Sequence, residues 1–152
     1  SQPNDDAPMK ERRKRPRVNA PRGTRILVID DSKTVRLTLV NMLAQNHYRL
    51  WESESAEEGL ELAFSERPQL IFLDIILPDM SGFRALRRIR GNETTRSTPV
   101  IMMSGNDNAT EKFFLRRVGA DDFIYKPFGR FEVFGAIERL IRAGALNARV
   151  GD

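Results

Sequence analysis

Apolar residues in this chain cluster in five short runs, at positions 26–29, 48–51, 70–73, 100–103 and 123–125. Each is only strand-length, and the middle ones are apolar at consecutive positions, the pattern of strands covered on both faces. Between the runs the apolar period changes to helical spacing. Val35, Leu39, Met42 and Leu43 share one face of a helix expected over 34–44, and a second helix is expected over 56–64, opened by Ser55-Ala56-Glu57-Glu58 in the form of a capping box. Phe83, Leu86 and Ile89 mark a third helix, and Phe114 and Val118 a fourth. Phe134, Ile137, Leu140 and Ile141 mark a fifth that follows Pro127 and ends near Gly144.

Strand followed by helix, five times over, predicts an α/β domain: a five-stranded parallel sheet with helices on both faces. Such a sheet gathers its functional groups at the carboxyl ends of the strands, beside the point where the strand order reverses. The predicted strand ends carry Asp30-Asp31, Asp74, Ser104-Gly105 and Lys126-Pro127. Their convergence would bring three carboxylates, a hydroxyl and an ammonium into one shallow pocket. Carboxylates so close repel by about 4 kcal/mol per pair at 4 Å and an effective dielectric near 20, so the cluster needs a cation, raised pKa values, or both. Oxygen donors without histidine or cysteine favour a hard ion such as Mg²⁺. Lys126 and Ser104 suit phosphoryl oxygens. Each piece has a plainer reading: Asp31 or Ser32 as the cap of the first helix, Asp74 as a turn residue, Lys126-Pro127 as a strand end and Ser104 as a loop residue. It is their conjunction that points to phosphoryl chemistry.

Composition and charge change this picture little. Among 152 residues, 40% are hydrophobic and 30% charged, ordinary values for one globular domain. No apolar run reaches membrane-spanning length, and there is no cysteine, which excludes disulfides, thiolate metal sites and cysteine catalysis. A cytoplasmic, non-membrane-spanning protein is expected. The net charge of +4 is concentrated at the start: residues 1–25 hold eight Lys/Arg against three Asp/Glu, and the rest 17 against 18. The proline-rich first 24 residues carry few large apolar groups and no aromatic, so they are expected to be a disordered basic tail ahead of a domain at 25–144, with 145–152 a short C-terminal tail. Through residues 10–25 the tail has the charge for non-specific binding to nucleic acid or an anionic surface, and it suits docking to an acidic protein equally well. His47 is expected at the surface or at a helix end. Phe113-Phe114 and Phe131/Phe134 are expected to divide between core and partner surface, with an exposed Phe113 favouring a binding face on the fourth helix.

The segments Ile29-Asp30-Asp31-Ser32, Leu73-Asp74-Ile75-Ile76-Leu77-Pro78-Asp79-Met80-Ser81-Gly82, Met103-Ser104-Gly105, Gly119-Ala120 and Tyr125-Lys126-Pro127-Phe128 together resemble the receiver domains of bacterial response regulators. The resemblance extends from Arg25 to about Ala143, with Ser104 and Lys126 lying 30 and 52 residues after Asp74, as in that family. It implies a (βα)5, flavodoxin-like fold and a two-component signalling switch. Asp74 would be the phosphoacceptor, with Asp30, Asp31, Asp74 and the Ile76 carbonyl arranged around Mg²⁺. Lys126 and Ser104 would hold phosphoryl oxygens, and Ser104 and Phe123 would form the switch pair, the ring turning inward as the hydroxyl is drawn to the phosphate. The implied partners are a histidine kinase or histidine phosphotransfer protein upstream and a protein target or output domain downstream. A homodimer through the fourth helix, fifth strand and fifth helix stays open. The only catalysis implied is the domain's own phosphorylation and dephosphorylation. Ile76 departs from the polar residue many receivers carry at that position, which predicts slow loss of the phosphoryl group. The alternative is a phosphorylation-independent interaction module with a basic docking tail. An aspartyl-phosphate phosphatase would want a second Asp where Ile76 stands.

Overall fold

In the computed structural model, which describes residues 16–150, five strands alternate with five helices. The order is β1 (Arg25–Ile29), α1 (Lys33–Ala44), β2 (Arg49–Ser53), α2 (Ala56–Glu66), β3 (Leu70–Asp74), α3 (Gly82–Gly91), β4 (Val100–Ser104), α4 (Ala109–Val118), β5 (Asp122–Tyr125) and α5 (Arg130–Arg142). Every pairing is parallel and the strands lie in the order β2-β1-β3-β4-β5. This is the five-stranded α/β fold expected from the alternation. β2 begins one residue later than its apolar run and extends to Ser53. Tyr48 just ahead of it is nevertheless buried in the core.

The two-residue period of the strands divides the core into two layers. Leu27, Ile29, Ile71, Leu73, Val100, Met102 and Phe123 face α2, α3 and α4. Ile26, Val28, Leu70, Phe72, Ile101, Met103 and Ile124 face α1 and α5. Because α1 and α3 leave neighbouring strands toward opposite faces, the crevice above β1 and β3 is open at the carboxyl edge of the sheet. Side-chain caps fix the starts of four helices: Ser32, Ser55, Ser81 and Asn108 accept from the backbone N–H of Val35, Glu58, Arg84 and Glu111. At α2 the second half of the expected capping box is replaced, since the Ser55 N–H donates to Ser53 Oγ at 3.2 Å rather than to Glu58. Asp79, from the loop after β3, accepts from the N–H groups of both Ala56 and Glu57 at 2.9 Å, tying the β3–α3 loop to the start of α2. Gly82 is required at the head of α3, since a Cβ there would lie 2.6 Å from the carbonyl oxygen of Asp74.

The expected disordered tail needs correction for residues 16–24, which pack along α5; residues 1–15, with most of the basic run, lie outside the described residues. Arg17 Nη1 pairs with Glu138 Oε1 at 3.1 Å, and the Val18 N–H donates to Glu138 Oε2 at 3.0 Å. Ala20 is fully buried among the α1–α5 core residues, and the Gly23 N–H donates to the His47 carbonyl at 2.8 Å. Low hydrophobicity understated this segment because its hold is mainly polar, and Pro16 and Pro21 reduce the entropy lost on ordering. The C-terminal stretch closes on the same segment: Leu146 packs on the core and the Arg149 N–H donates to the Asn19 carbonyl at 2.7 Å. His47 is exposed with φ 62°, at the turn after α1, as a helix-end residue. No helix among the described residues is long and apolar enough to cross a membrane.

Candidate functional site

The register brings the expected strand ends to one level. Ile29 lies opposite Leu73, Asp74 opposite Met103 and Ser104 opposite Tyr125, so the residues immediately beyond β1 and β5 flank the end of β3. There Lys126 Nζ reaches Asp30 Oδ2 at 2.7 Å and Asp74 Oδ2 at 3.2 Å. Asp30 is wholly buried and Asp74 nearly so. Asp31 stands at the exposed mouth, and one carboxylate oxygen from each of Asp30, Asp31 and Asp74 lies within 4.8 Å of the others.

Local hydrogen bonds aim these groups. The Ser32 N–H donates to Asp30 Oδ1 at 2.8 Å, which leaves Oδ2 to the ammonium. The Ile76 N–H donates to Asp74 Oδ1 at 3.3 Å, and Ile76 bridges to Ser81, so the loop after β3 is folded back over the strand end. Its side chain points away, 77% exposed. Burial raises the pKa of Asp74, Asp30 raises it further, and Lys126 and the Ile76 N–H pull it down without prevailing. For Lys126 burial acts downward, but its bonds and charge interactions with Asp30 and Asp74 outweigh it and the ammonium is stabilised. One cation thus holds two buried anions together.

Ser104 is buried at the end of β4 but turned to its own loop: its hydroxyl donates to the Asn106 carbonyl at 2.7 Å and accepts the Asn106 N–H at 3.1 Å. That loop ends at Asn108, the cap of α4. Phe123 is already packed inward, with the Arg116 guanidinium 5.0 Å from its ring centre, while Ser104 still holds Asn106. Asp31 does not cap α1; Ser32 does. Asp79, an unassigned member of the motif after Asp74, is the residue whose role sequence reasoning missed. Its signal is a carboxylate in a turn that lies far in sequence from the helix end it caps.

An ammonium fixed between carboxylates, with a third at the mouth, can take up a tetrahedral oxyanion at the Asp74 end. Three converging oxygen donors fit a hard divalent cation, and no histidine or cysteine ligand enters this set.

Comparison with known proteins points to one family. The sequence model of the response regulator receiver domain matches residues 26–138. Protein PilG of Pseudomonas aeruginosa is 35% identical over 116 residues, 76% of this chain and 86% of PilG. Response regulator MprA of Mycobacterium tuberculosis is 32% identical over 120 residues, which are 79% of this chain but only 51% of MprA. Among solved structures, chemotaxis response regulator CheY4 of Vibrio cholerae superposes with a TM-score of 0.74 at 25% identity, covering 77% of this chain and 98% of that one. The receiver domain of sensor histidine kinase PA1611 from Pseudomonas aeruginosa, which has a magnesium ion coordinated in its active site cleft, gives 0.72 at 28% identity over 79% and 98% of the two chains. Parallel order, crevice, acidic cluster and bridging lysine all lie within the matched span, and the chain belongs to the response regulator receiver domain family.

Proposed function

We propose that the chain is a phosphorylation-dependent signalling switch in which Asp74 accepts a phosphoryl group from a phosphohistidine on a partner kinase or phosphotransfer protein. The observation that carries this reading is the Lys126 ammonium within 3.2 Å of both Asp30 and Asp74 at the carboxyl edge of the sheet. In the transfer a bond forms between an Asp74 carboxylate oxygen and phosphorus as the phosphorus–nitrogen bond breaks, and the electron pair leaves with the imidazole. Asp74 Oδ1 is oriented by the Ile76 N–H, and Lys126 provides positive charge at the Oδ2 side. Asp30, Asp31, Asp74 and the Ile76 carbonyl would hold Mg²⁺, as the magnesium in the PA1611 receiver suggests. When bound, that ion would neutralise charge gathering on the phosphoryl oxygens.

The readout would run through Ser104. Drawn toward the phosphoryl oxygens, its hydroxyl would leave Asn106, and the loop from Ser104 to the α4 cap Asn108 would rearrange. Phe123 and Tyr125, both lying beneath α4 cations, are the β5 residues placed to follow. Reversing a two-state population from 1:99 to 99:1 takes about 5.5 kcal/mol of differential stabilisation, a demand that an added dianion among desolvated charges can meet.

Intact mass after incubation with a small acyl-phosphate donor tests the chemistry. A magnesium-dependent gain of one phosphoryl group, absent in Asp74→Asn, is expected. An unmodified parent, or a variant modified as fully as the parent, would remove Asp74 from the role.

A further inference from the structure

The face formed by α3 and α4 carries an apolar groove that the phosphoryl chemistry does not use. Ile75, Ile76, Ser81, Phe83, Phe114 and Leu115 are among its lining residues, around a volume of ≈ 410 Å³. Three of these are large apolar side chains open to solvent: Ile76 at 77%, Phe114 at 53% and Phe83 at 37%. Phe113, 55% exposed, meets Phe114 edge-to-face at 5.5 Å and extends the patch outward. Scattered surface hydrophobes need no explanation, but contiguous aromatic ones beside a concavity mark a binding surface.

The segment that carries α3 and α4 is basic as a whole, although Glu111 lines the groove itself. Residues 82–119 hold eight Lys/Arg against three Asp/Glu, a net +5 in a chain whose total is +4. Arg88, Arg90 and Lys112 are answered by Glu57, Asp121 and Asp107. Arg84 and Arg87 form no ion pair among the described residues, and Arg117 stacks on Phe113. Both helices follow parallel strands and so run the same way from the carboxyl edge of the sheet. Arg87 therefore stands one turn beyond Phe83, and Arg117 about one turn beyond Phe114. Within the groove the one charged residue is Glu111; Arg84 and Arg87 line an adjoining hollow that shares Phe83, and Arg117 stands beyond the Phe113–Phe114 pair.

We propose that this groove docks an acidic amphipathic helix of a partner protein, with apolar residues seated between Phe83 and Phe114 and carboxylates paired to Arg84, Arg87 and Arg117. Helix-in-groove recognition asks for such a combination of aromatic anchors and a polar rim of opposite charge. The phenyl rings lie within the groove rather than on a flat cationic surface, which favours an amphipathic protein segment over a nucleic acid backbone. The inference does not depend on phosphorylation of Asp74.

The probe is a short designed helical peptide with leucines on one face and glutamates on both flanks, titrated into the isotopically labelled full chain and followed by amide chemical shifts. Saturable shifts at Ile76, Phe83 and Phe114 are expected. Affinity should fall about tenfold or more in Phe114→Ser and in the double variant Arg87→Glu/Arg117→Glu, and stay unchanged in Leu37→Ser, an exposed site on α1. A lysine-flanked twin should bind the parent more weakly and regain affinity for the double charge reversal, a rescue that a merely misfolded variant would not show. No saturable binding, equal affinity for the twin, or shifts confined to the basic residues before Pro16 would overturn the proposal. So would tighter binding of a DNA duplex at the same residues, or a concentration series showing the groove filled by a second copy of the chain.

Discussion

Replacing Asp74 with asparagine is expected to stabilise the folded domain at neutral pH while abolishing its proposed chemistry. Asp74 is a buried anion close to another buried anion, and burial followed by the Asp30 charge drives its pKa up. At an effective dielectric near 20, a like charge within 4.8 Å costs about 3.5 kcal/mol, and an ammonium at 3.2 Å returns about 5 kcal/mol. The substitution gives up that attraction, but Lys126 keeps its shorter 2.7 Å contact with Asp30, and the loss is offset by relief of desolvation and of repulsion from the two neighbouring carboxylates. What the variant loses is one desolvated charge and its repulsion by Asp30 and Asp31, and an asparagine oxygen can still accept from the Ile76 N–H. A net gain of about 1 kcal/mol is expected, as at other sites where function holds a group in an unfavourable environment.

The pH dependence gives this gain a sign. A folded-state pKa above the ordinary 3.8 means that the native state binds the proton more tightly, so the parent loses stability as pH rises from 3.8 through the raised value. Asparagine has no such dependence. The advantage should therefore be largest near neutrality and fade as pH falls toward 3.8. In urea denaturation, with a slope of about 2 kcal/mol/M, the neutral-pH midpoint should rise by about 0.5 M. Magnesium chloride should raise the midpoint of the parent more than that of the variant. A lower midpoint for the variant at neutral pH, or an advantage that grows on acidification, would refute the charge balance drawn above.

Three further substitutions probe other parts of the structure. Ile76→Asn should shorten the lifetime of the phosphorylated form at least several-fold, followed by intact mass after donor removal; an unchanged lifetime would show that the exposed isoleucine does not limit attack by water. Asp79→Ala should cost about 1 kcal/mol by uncapping α2. The Ala56 and Glu57 N–H groups hold the Asp79 pKa below its ordinary value, so this contribution should be present above pH 3.8 and lost as pH falls through the lowered pKa, which paired urea curves would reveal. Glu138→Ala should cost about 1 to 2 kcal/mol by releasing Arg17 and leaving the Val18 N–H without its acceptor. Hydrogen exchange should then quicken at Val18 and at Arg149, whose N–H is held by Asn19.

The fold was legible in the sequence because strands apolar on both faces leave little choice of architecture, and a parallel order then dictates which strand ends meet. Asp30, Asp31, Asp74 and Lys126 could be assembled on that basis alone. Ser104 ends β4 as the apolar run implied, but its bond back to Asn106 could not be read, since a hydroxyl has several local partners and sequence does not rank them. Asp79 was hidden because its partners lie 22 and 23 residues away, beyond any local capping pattern. The segment at 16–24 was missed for a related reason. Its anchor is Glu138, 120 residues further along the chain, and composition carries no record of a distant acceptor. The α3–α4 groove was half visible: Phe113-Phe114 suggested a surface, but only the packing shows that Phe83 and Ile76 join it.

The pocket's charge explains why a single lysine does not complete it. Asp30, Asp31 and Asp74 against Lys126 give a formal charge of −2. Converting the Asp74 carboxylate to an acyl phosphate replaces one negative charge by about two, which takes the pocket further from neutrality with no new cation from the chain. The ammonium already at 2.7 Å from Asp30 cannot answer the added oxygens without weakening that contact, and Asp30 is fully buried. Either the modification is disfavoured or a second cation shares the load, and the converging oxygen donors of Asp30, Asp31 and Asp74 are suited to hold one. Chemistry and stability therefore respond to the same charge balance, and the asparagine variant, by relieving it, should make the protein sturdier and silent together.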